Sequence, residues 1–303
     1  MRNILPLTGT PLAIDVGLDN AIYVDQIENP VEVLRLIPGA APTQRWPVTS
    51  YVHGDWLLPL PDGRVLMSAR VGGRTRLSVT GPAQDPIPFI DTPEETRHPF
   101  CLVGKETVAF LIGKSPSAAL AIASSSNGNI IRRFDDFKAD TIGALAGSPD
   151  GNSIYYTSLG TVWKMPAEGG PSERVCAGDG VAVDTEGKYL VVSRIHPDGN
   201  RLVRISLTGG EEELLLVAAD LKMDWHLAPG AIARDGRIAV KVIPADSWFW
   251  QVRIRDPNTG KLEEALQGIP ADLQCPSWDA DGRLVVAASY IQSCLWRFRP
   301  ETR

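Results

Sequence analysis

The sequence predicts an all-β fold made of a repeated four-stranded antiparallel unit. Three observations support this prediction. A polar turn recurs at intervals of roughly 40 to 50 residues, an apolar strand-like segment follows each turn, and a second such segment follows the first. The turns are Asp19-Asn20, Asp62-Gly63, Gly104-Lys105, Asp150-Gly151, Glu186-Gly187, Asp235-Gly236 and Asp281-Gly282.

The clearest copy of the unit is 147–175. Residues 149–151 are Pro-Asp-Gly, which favours a tight turn because Pro fixes the first corner and Asp and Gly tolerate the others. The β-branched and aromatic segment 154–157 is typical of a strand, and a short Gly-containing loop leads to a partner strand at 161–165. Pro166 lacks the N–H that a ladder needs and ends this strand. A polar strand after the next turn completes the unit.

The same order of elements repeats along the chain. The first apolar segments after the turns are 21–25, 65–69, 108–112, 154–158, 189–193, 238–242 and 284–288. The second segments are 31–36, 76–80, 119–123, 161–165, 202–206, 250–254 and 295–299. A single four-stranded sheet cannot bury both of its faces, so each unit needs neighbours of the same kind.

These repeats predict a seven-bladed β-propeller of four-stranded antiparallel blades. Closing the sheets into a ring protects edges that an open array would expose. The last repeat lacks an outermost strand, and we expect residues 1–8 to supply it. Six or eight blades are the alternatives, because the third and sixth repeats are irregular. The predicted blades of this single domain, 1–303, are 11–48, 53–91, 97–135, 141–176, 180–217, 227–268, and 273–300 together with 1–8.

Composition limits the function classes. The formal net charge of −6 disfavours nonspecific nucleic-acid binding, which needs a basic surface. The sequence contains no run of 18 apolar residues, so it predicts no transmembrane helix. Its first residues lack a basic region followed by an apolar run, so it predicts no signal peptide. We therefore expect no direct membrane insertion. The four cysteines form no C-x-x-C pair and are expected to be reduced, which leaves the compartment open. Oligomeric state is likewise undetermined by the sequence.

Particular motifs give the chain a family resemblance. The stretch 148–170 contains Ser-Pro-Asp-Gly, then Ile-Tyr-Tyr-Thr, then Gly-Thr-Val-Trp-Lys-Met-Pro-Ala-Glu-Gly-Gly. It resembles the TolB-type, WD-repeat-like propeller units of bacteria. The stretches 246–250 and 276–283 resemble the propeller regions that follow the kinase domain in bacterial eukaryotic-like serine/threonine kinases. The chain itself has no Gly-rich loop before V-A-I-K, no H-R-D and no D-F-G.

The resemblance implies a noncatalytic binding or sensor module that recognises a protein, peptide or small ligand at one face. In a bacterial signalling kinase this module would be the sensory or docking part. Propellers bind at the mouth of the central channel, where loops enter the innermost strands. His53, His98 and His226 each lie just before a predicted innermost strand, with Asp55 and Asp224 beside two of them.

The histidines permit two interpretations. A carboxylate can orient an imidazole for catalysis or metal binding. Each histidine can also simply bond to its own loop, and the sequence favours this because no pair has the spacing of a metal-ligand motif. We therefore expect no metal ligands, no cofactor and no assigned catalytic residue.

Aromatic residues give the most suggestive binding feature. Trp225 lies beside His226, and Trp248-Phe249-Trp250 cannot all face inward because strand side chains alternate. At least one should lie on a loop surface, where it would be a good anchor for a partner. The opposing interpretation is that Trp248 or Trp250 plugs the channel or packs between blades.

Two alternatives to a binding module stay open. One is a channel-mouth hydrolase or lyase that uses His98 or His226 as a general base, with or without a divalent metal. The other is a pure protein-interaction scaffold whose channel is filled by side chains. The sequence favours a noncatalytic module, since it has neither a G-x-S-x-G motif nor a D-x-[DN]-x-[DN]-G calcium loop.

Overall fold

A computed structural model describes residues 10–19, 21–48, 56–137, 141–218, 221–290 and 292–299. These residues form 27 β-strands and no α-helix, and every strand pairing is antiparallel. Within these ranges no helix is long and apolar enough to span a membrane. The predicted all-β class is confirmed.

Six of the seven sheets have four strands, and we call them blades 1 to 6. Blade 1 contains β5 (Leu57–Pro59), β6 (Val65–Val71), β7 (Arg74–Gly81) and β8 (Gln84–Pro88). Blade 2 contains β9 (Thr96–Val103), β10 (Thr107–Ile112), β11 (Ala119–Ser124) and β12 (Ile130–Phe134). Blade 3 contains β13 (Ile142–Gly147), β14 (Ser153–Ser158), β15 (Thr161–Pro166) and β16 (Glu173–Ala177).

The remaining sheets complete the architecture. Blade 4 contains β17 (Gly180–Val183), β18 (Tyr189–Arg194), β19 (Arg201–Ser206) and β20 (Glu213–Val217). Blade 5 contains β21 (Leu221–Met223), β22 (Ile238–Pro244), β23 (Gln251–Arg255) and β24 (Leu262–Glu264). Blade 6 contains β25 (Asp272–Trp278), β26 (Leu284–Ser289), β3 (Val31–Leu36) and β4 (Gln44–Val48). The three-stranded sheet contains β1 (Thr10–Val16), β2 (Ile22–Glu28) and β27 (Gln292–Phe298).

Buried hydrophobic clusters join the blades into a closed ring. One cluster runs through blades 1 to 4, and a second adds contacts between blades 2 and 3. Further clusters join blade 4 to blade 5, blade 5 to blade 6, and blade 6 back to blade 1. The described residues of the three-stranded sheet belong to none of these clusters. The chain is therefore a β-propeller of seven antiparallel sheets, of which the six four-stranded ones share the continuous core.

The structure corrects the strand composition of the first and last predicted units. Segment 11–48 is divided, since β1 and β2 lie in the three-stranded sheet whereas β3 and β4 complete blade 6. The reason is burial. The β3 strand has four apolar residues and is almost wholly buried, so it suits an interior position beside β26, whereas β27 is exposed along most of its length. The predicted closing strand at 1–8 lies outside the described residues.

Blade 5 has an interrupted innermost strand. β21 begins at Leu221, upstream of the predicted blade start at residue 227, and the strand path resumes only at the bridge between Ile232 and Ile238. Residues 224–230 leave the sheet between these points, and we call this segment the excursion. The excursion carries three of the predicted site residues, and its position decides where they point.

Three of the four cysteines have the buried environment of small hydrophobic side chains. All four are unpaired; Cys101, Cys176 and Cys275 are buried and Cys294 is exposed. Burial raises the pKa of the Cys101 thiol, which keeps that side chain neutral and is consistent with a small hydrophobic role in blade 2.

Candidate functional site

One face of the ring carries the loops that enter the innermost strands and the hairpins that join the second and third strands of each blade. We call it the hairpin face. Antiparallel connection order places the loops between first and second strands, and between third and fourth strands, on the opposite face. The predicted site residues of the structure's described part all lie in or near elements that open onto the hairpin face.

The central channel is occupied by rings from three blades. Trp56, directly before β5, is only 3% exposed. Its indole stacks on His98 of β9 with ring centroids 6.1 Å apart and 9° between planes. It also meets His226 of the excursion edge-to-face, with centroids again 6.1 Å apart. Because blades 1 and 5 are not neighbours, these rings meet across the channel.

His226 is held by a carboxylate. Its Nδ1 lies 3.0 Å from Asp224 Oδ1, and its backbone N–H donates to the same oxygen over 3.1 Å. An ionised carboxylate can only accept a hydrogen bond, so Nδ1 of His226 carries the hydrogen of this contact. The imidazole also stacks on the adjacent Trp225, with centroids 3.5 Å apart. This is an oriented imidazole packed among aromatic rings.

Asp224 is also paired with a buried lysine. Lys241 of β22 is 9% exposed, and its Nζ contacts Asp224 Oδ2 and donates to Gln274 Oε1 over 2.6 Å. Burial alone would raise the pKa of the Asp224 carboxyl, but the hydrogen bond from His226 and the Lys241 ammonium outweigh burial and lower it below its ordinary value. Asp224 thus stays ionised and holds the His226 imidazole and the Lys241 ammonium in place.

Trp250 and Trp248 have different environments. The Trp250 ring lies 4.7 Å from Lys241 Nζ and 5.7 Å from Lys222 Nζ. Trp250 also donates a hydrogen bond from its backbone N–H to Asp272 Oδ1 over 2.8 Å. It therefore packs at the border of blades 5 and 6. Trp248 is 95% exposed in the β22–β23 loop. The aromatic triplet lies in the loop between β22 and β23 rather than in a strand, and it places Trp248 at the surface.

Trp225 points toward blades 3 and 4. Its backbone carbonyl accepts a hydrogen bond from Ser193 Oγ, and a Cβ added at Gly180 would lie 2.3 Å from the same oxygen. The indole lines a cleft of about 210 Å³ that opens on the hairpin face. The other lining residues are Thr141, Gly143, Thr157, Ser158, Leu159, Gly160, Asp179 and Ile195. We call this the Trp225 cleft.

The structure brings some predicted residues together and leaves others apart. His98, Trp225, His226 and Asp224 belong to one continuous set of contacts through Trp56. Trp250 joins that set through Lys241, whereas Trp248 stands alone at the surface. His53 and Asp55 lie outside the described residues. Within the described part of the chain, no group of three or more His, Cys, Asp or Glu side chains is arranged to hold a metal ion.

Several residues of this region were not predicted from the sequence. Lys241 carried a usable signal, because a lysine inside the apolar strand Ile-Ala-Val-Lys-Val must find a buried partner. Trp56 carried a weaker one, since it directly precedes a short apolar strand. Thr157 carried none, because its importance depends on what surrounds it after folding.

Three consecutive blades present apolar residues on the hairpin face. Leu159 in the β14–β15 hairpin is 87% exposed, Ile195 in the β18–β19 hairpin is 57% exposed, and Trp248 occupies the corresponding loop of blade 5. The hairpins of blades 1 and 2 carry Gly72-Gly73 and the polar run Lys114 to Ser117 instead. Among the described hairpins of blades 1 to 5, the exposed large apolar residues therefore lie on blades 3 to 5.

Comparison with known proteins identifies the fold. A protein described as a TolB from Agrobacterium tumefaciens gives a TM-score of 0.61 at 14% identity, covering 88% of this chain and 99% of that one. TolB from Acinetobacter baumannii gives 0.51 at 16% identity, covering 88% of this chain and 66% of that one. A chain of a nidogen–laminin complex gives 0.54 at 11% identity, covering 85% and 98%. No protein-family model and no curated protein matches the sequence.

Identities this low establish the fold alone. The likeness to kinase-associated propellers stays a prediction from the sequence. The chain has a TolB-like β-propeller fold, as the sequence resemblance implied.

Proposed function

We propose that this chain is a noncatalytic propeller that binds a polypeptide partner on the hairpin face, at blades 3 to 5. The observation that carries the proposal is the set of three exposed apolar residues, Leu159, Ile195 and Trp248, on consecutive blades. Exposed apolar groups gathered on one surface mark contact sites, and Trp is the residue most enriched among interface anchors.

The stability of the fold does not explain why a leucine occupies position 159. Leu159 and Gly160 form a two-residue hairpin loop with φ angles of 49° and 72°. Positive φ at both positions is the geometry of a type I′ turn, in which Asn or Gly is preferred. Leucine there is both backbone-strained and solvent-exposed, so neither local geometry nor the core accounts for it.

The filled channel supports binding at the surface rather than deep inside the ring. Trp56 spans the channel between His98 and His226, so a partner meets the mouth of the ring and the surrounding hairpins. The same fold occurs in a chain of the nidogen–laminin complex, an assembly of two proteins. A role as the sensory part of a signalling kinase is compatible with this surface and rests on the sequence resemblance.

A second candidate is a hydrolase or lyase, and one observation favours it. The Asp224–His226 pair has the arrangement of a carboxylate that orients a general base. The close packing of Trp225 and Trp56 on this imidazole favours a structural role for the pair. Loss of a hydrolytic activity in His226→Gln, with unchanged peptide binding, would favour the enzyme instead.

The test of the proposed function uses two isoleucines of equal exposure on opposite faces. Ile195 is 57% exposed on the hairpin face, and Ile37, in the β3–β4 loop of the other face, is 55% exposed. Peptides would be selected from a random displayed library on the purified chain, and their Kd measured by fluorescence anisotropy. We expect Ile195→Ala to weaken binding about tenfold, the loss of one well-packed anchor, and Ile37→Ala to leave it within about twofold.

Two results would contradict the proposal. One is that selected peptides bind Ile195→Ala as tightly as the wild type, or lose as much affinity with Ile37→Ala. The other is that repeated selection yields no peptide above the background of an unrelated propeller.

A further inference from the structure

The Trp225 cleft has a chemistry of its own, distinct from the apolar hairpins around it. Its floor is the Trp225 indole, and two of its rims are the apolar side chains of Leu159 and Ile195. Among the lining residues that the structure describes, Asp179 is the one ionisable group. One Asp179 oxygen, Oδ2, accepts the Ile195 N–H over 2.7 Å, and the other, Oδ1, lies 3.9 Å from the position that a Cβ would take at Gly160.

A buried hydroxyl in the same cleft lacks a partner. Thr157 is 2% exposed, and its Oγ1 makes no hydrogen bond within the described structure. Buried polar atoms are nearly always paired, so an orphaned hydroxyl in the lining of a cleft indicates a group that arrives from outside. The neighbouring hydroxyls of Thr141 and Ser158 satisfy one another over 2.7 Å and need no such group.

Gly143 keeps the space beside this hydroxyl open. A Cβ built there would lie 3.1 Å from Thr157 Oγ1 and 3.5 Å from Cη2 and Cζ3 of Trp225. The hydroxyl and the indole edge therefore flank a single point that any larger residue would occupy. A cleft of about 210 Å³ suits one long side chain and not a folded segment.

We infer that the Trp225 cleft receives an arginine side chain of the polypeptide partner. Each part of the cleft matches one part of that side chain. The guanidinium would lie against the indole, where cation–π attraction favours arginine, and donate to Asp179 Oδ1 and Thr157 Oγ1. The aliphatic stem would pass between Leu159 and Ile195. This inference rests on the proposed function and names the residue type that the hairpin face recognises.

The first experiment uses a small probe, so that it does not depend on peptide selection. N-acetyl-arginine amide and N-acetyl-citrulline amide have the same shape, but only the first is charged. Each would be titrated into the full chain with ¹⁵N-labelled tryptophan, following the Trp225 indole resonance assigned with Trp225→Phe. We expect a saturable shift with the arginine probe and at least tenfold weaker binding of the citrulline probe.

Variants then assign the contacts. Asp179→Asn should remove the preference for arginine over citrulline, because the neutral amide no longer attracts the charge. Thr157→Val should weaken arginine binding several-fold while the chain stays folded, since valine keeps the shape and loses only the hydroxyl. Asp198→Asn is the matched control, because Asp198 is a carboxylate of the blade 4 hairpin that does not line the cleft.

The outcomes separate this inference from the proposed function. A wild type with no saturable Trp225 shift, equal affinity for both probes, or an unchanged preference in Asp179→Asn would overturn the arginine site. Selected peptides that depend on Ile195 but contain no required arginine would overturn it too and leave the proposed function standing. Arginine binding without any Ile195-dependent peptide would refute the proposed function, and with it the polypeptide source of the arginine.

Discussion

The hairpins of blades 1 and 3 have the same backbone and opposite chemistry. Both are two-residue loops in which both φ angles are positive, at Gly72-Gly73 in blade 1 and Leu159-Gly160 in blade 3. The first satisfies this geometry without strain, since glycine has no Cβ. The second places a large apolar side chain where the backbone disfavours it and where water surrounds it. The fold needs only the turn, so the leucine must serve another requirement.

The two sides of the hairpin face also differ in what lies beneath them. Blades 3 to 5 surround the Trp225 cleft, whose floor is supplied by the excursion of blade 5. The Asp224–Lys241 pair, in turn, anchors the start of this excursion. The apolar side of the face therefore depends on a buried ionic cluster, and this dependence gives the strongest way to disturb it.

The largest effect is expected for Asp224→Ala. It would leave the Lys241 ammonium buried and without its carboxylate, and removing one partner of a buried ion pair costs about 3 kcal/mol of unfolding free energy. Urea denaturation would measure the loss. Asp235→Ala removes an exposed carboxylate of the same blade and should cost less than about 0.5 kcal/mol. Equal costs for the two variants would show that the cluster does not hold the excursion.

The same carboxylate predicts a pH dependence. Because the Asp224 pKa is lowered in the folded chain, its contribution to stability is present above the unfolded value of about 3.9 and is lost as the pH falls toward the folded pKa. The unfolding free energy of the wild type should therefore drop more steeply below about pH 4 than that of Asp224→Asn. Parallel pH curves for the two proteins would contradict this prediction.

The next largest effect is expected for Trp248→Ala on binding. An aromatic anchor contributes about 2 kcal/mol or more, so the Kd of the selected peptides should rise about thirtyfold. Its stability should change little, since Trp248 is almost wholly exposed. Isothermal titration calorimetry would measure the first quantity and urea denaturation the second. A large stability loss with unchanged binding would assign Trp248 to the fold.

Thr157→Val should stabilise the free chain. Replacing an unpartnered buried hydroxyl with a methyl group of equal size removes a desolvation cost of about 1–2 kcal/mol. Thermal and urea unfolding without ligand would detect the gain. A loss of stability would mean that the hydroxyl is already satisfied in the free protein, and the cleft would then need no incoming group.

The smallest effect is expected for a substitution that removes the difference between the two hairpins. Leu159→Asn should raise the unfolding free energy by about 0.5–1 kcal/mol, because asparagine tolerates positive φ better than leucine. The same change should weaken peptide binding. Gly72→Asn in blade 1 is the control and should alter neither quantity appreciably. A destabilised Leu159→Asn would show that the leucine supports the fold after all.

Local sequence signals predicted most of the fold. The strands β14 and β15 follow from the turn residues and the β-branched and aromatic pattern between 149 and 166. The pairing of β3 with β26 could not be predicted in this way, because neither segment carries a local signal for its partner and the pairing is set by the closing ring. The repeat pattern also assigned 295–299 to that position, although its side chains are mostly exposed.

Site residues could be predicted only where the local sequence around a residue indicates its environment. The aromatic triplet at 248–250 required one exposed ring, and Trp248 is that ring. The excursion was not predicted as an interruption of a strand: Pro229-Gly230 is a turn signal, but it is equally compatible with a loop that precedes the inner strand of blade 5. The contacts of Trp56 with His98 and His226 join three blades and exist only after the ring has formed.

Blade 6 combines two early strands, β3 and β4, with two late strands, β25 and β26, so it cannot form until the late strands have been synthesised. Tyr290 donates to Glu32 across 258 positions, beside the ladder in which β26 meets β3. At about 5–20 residues per second, a ribosome needs roughly 10–50 s to deliver the second half of this blade after the first. Throughout that interval the edge of β3 is unpaired, and the nascent chain carries an apolar strand that invites association with other chains. Pro47 and Arg45 on β4 protect the opposite edge of that hairpin. Closing the ring therefore also pairs the edge of β3 and ends its exposure to other chains.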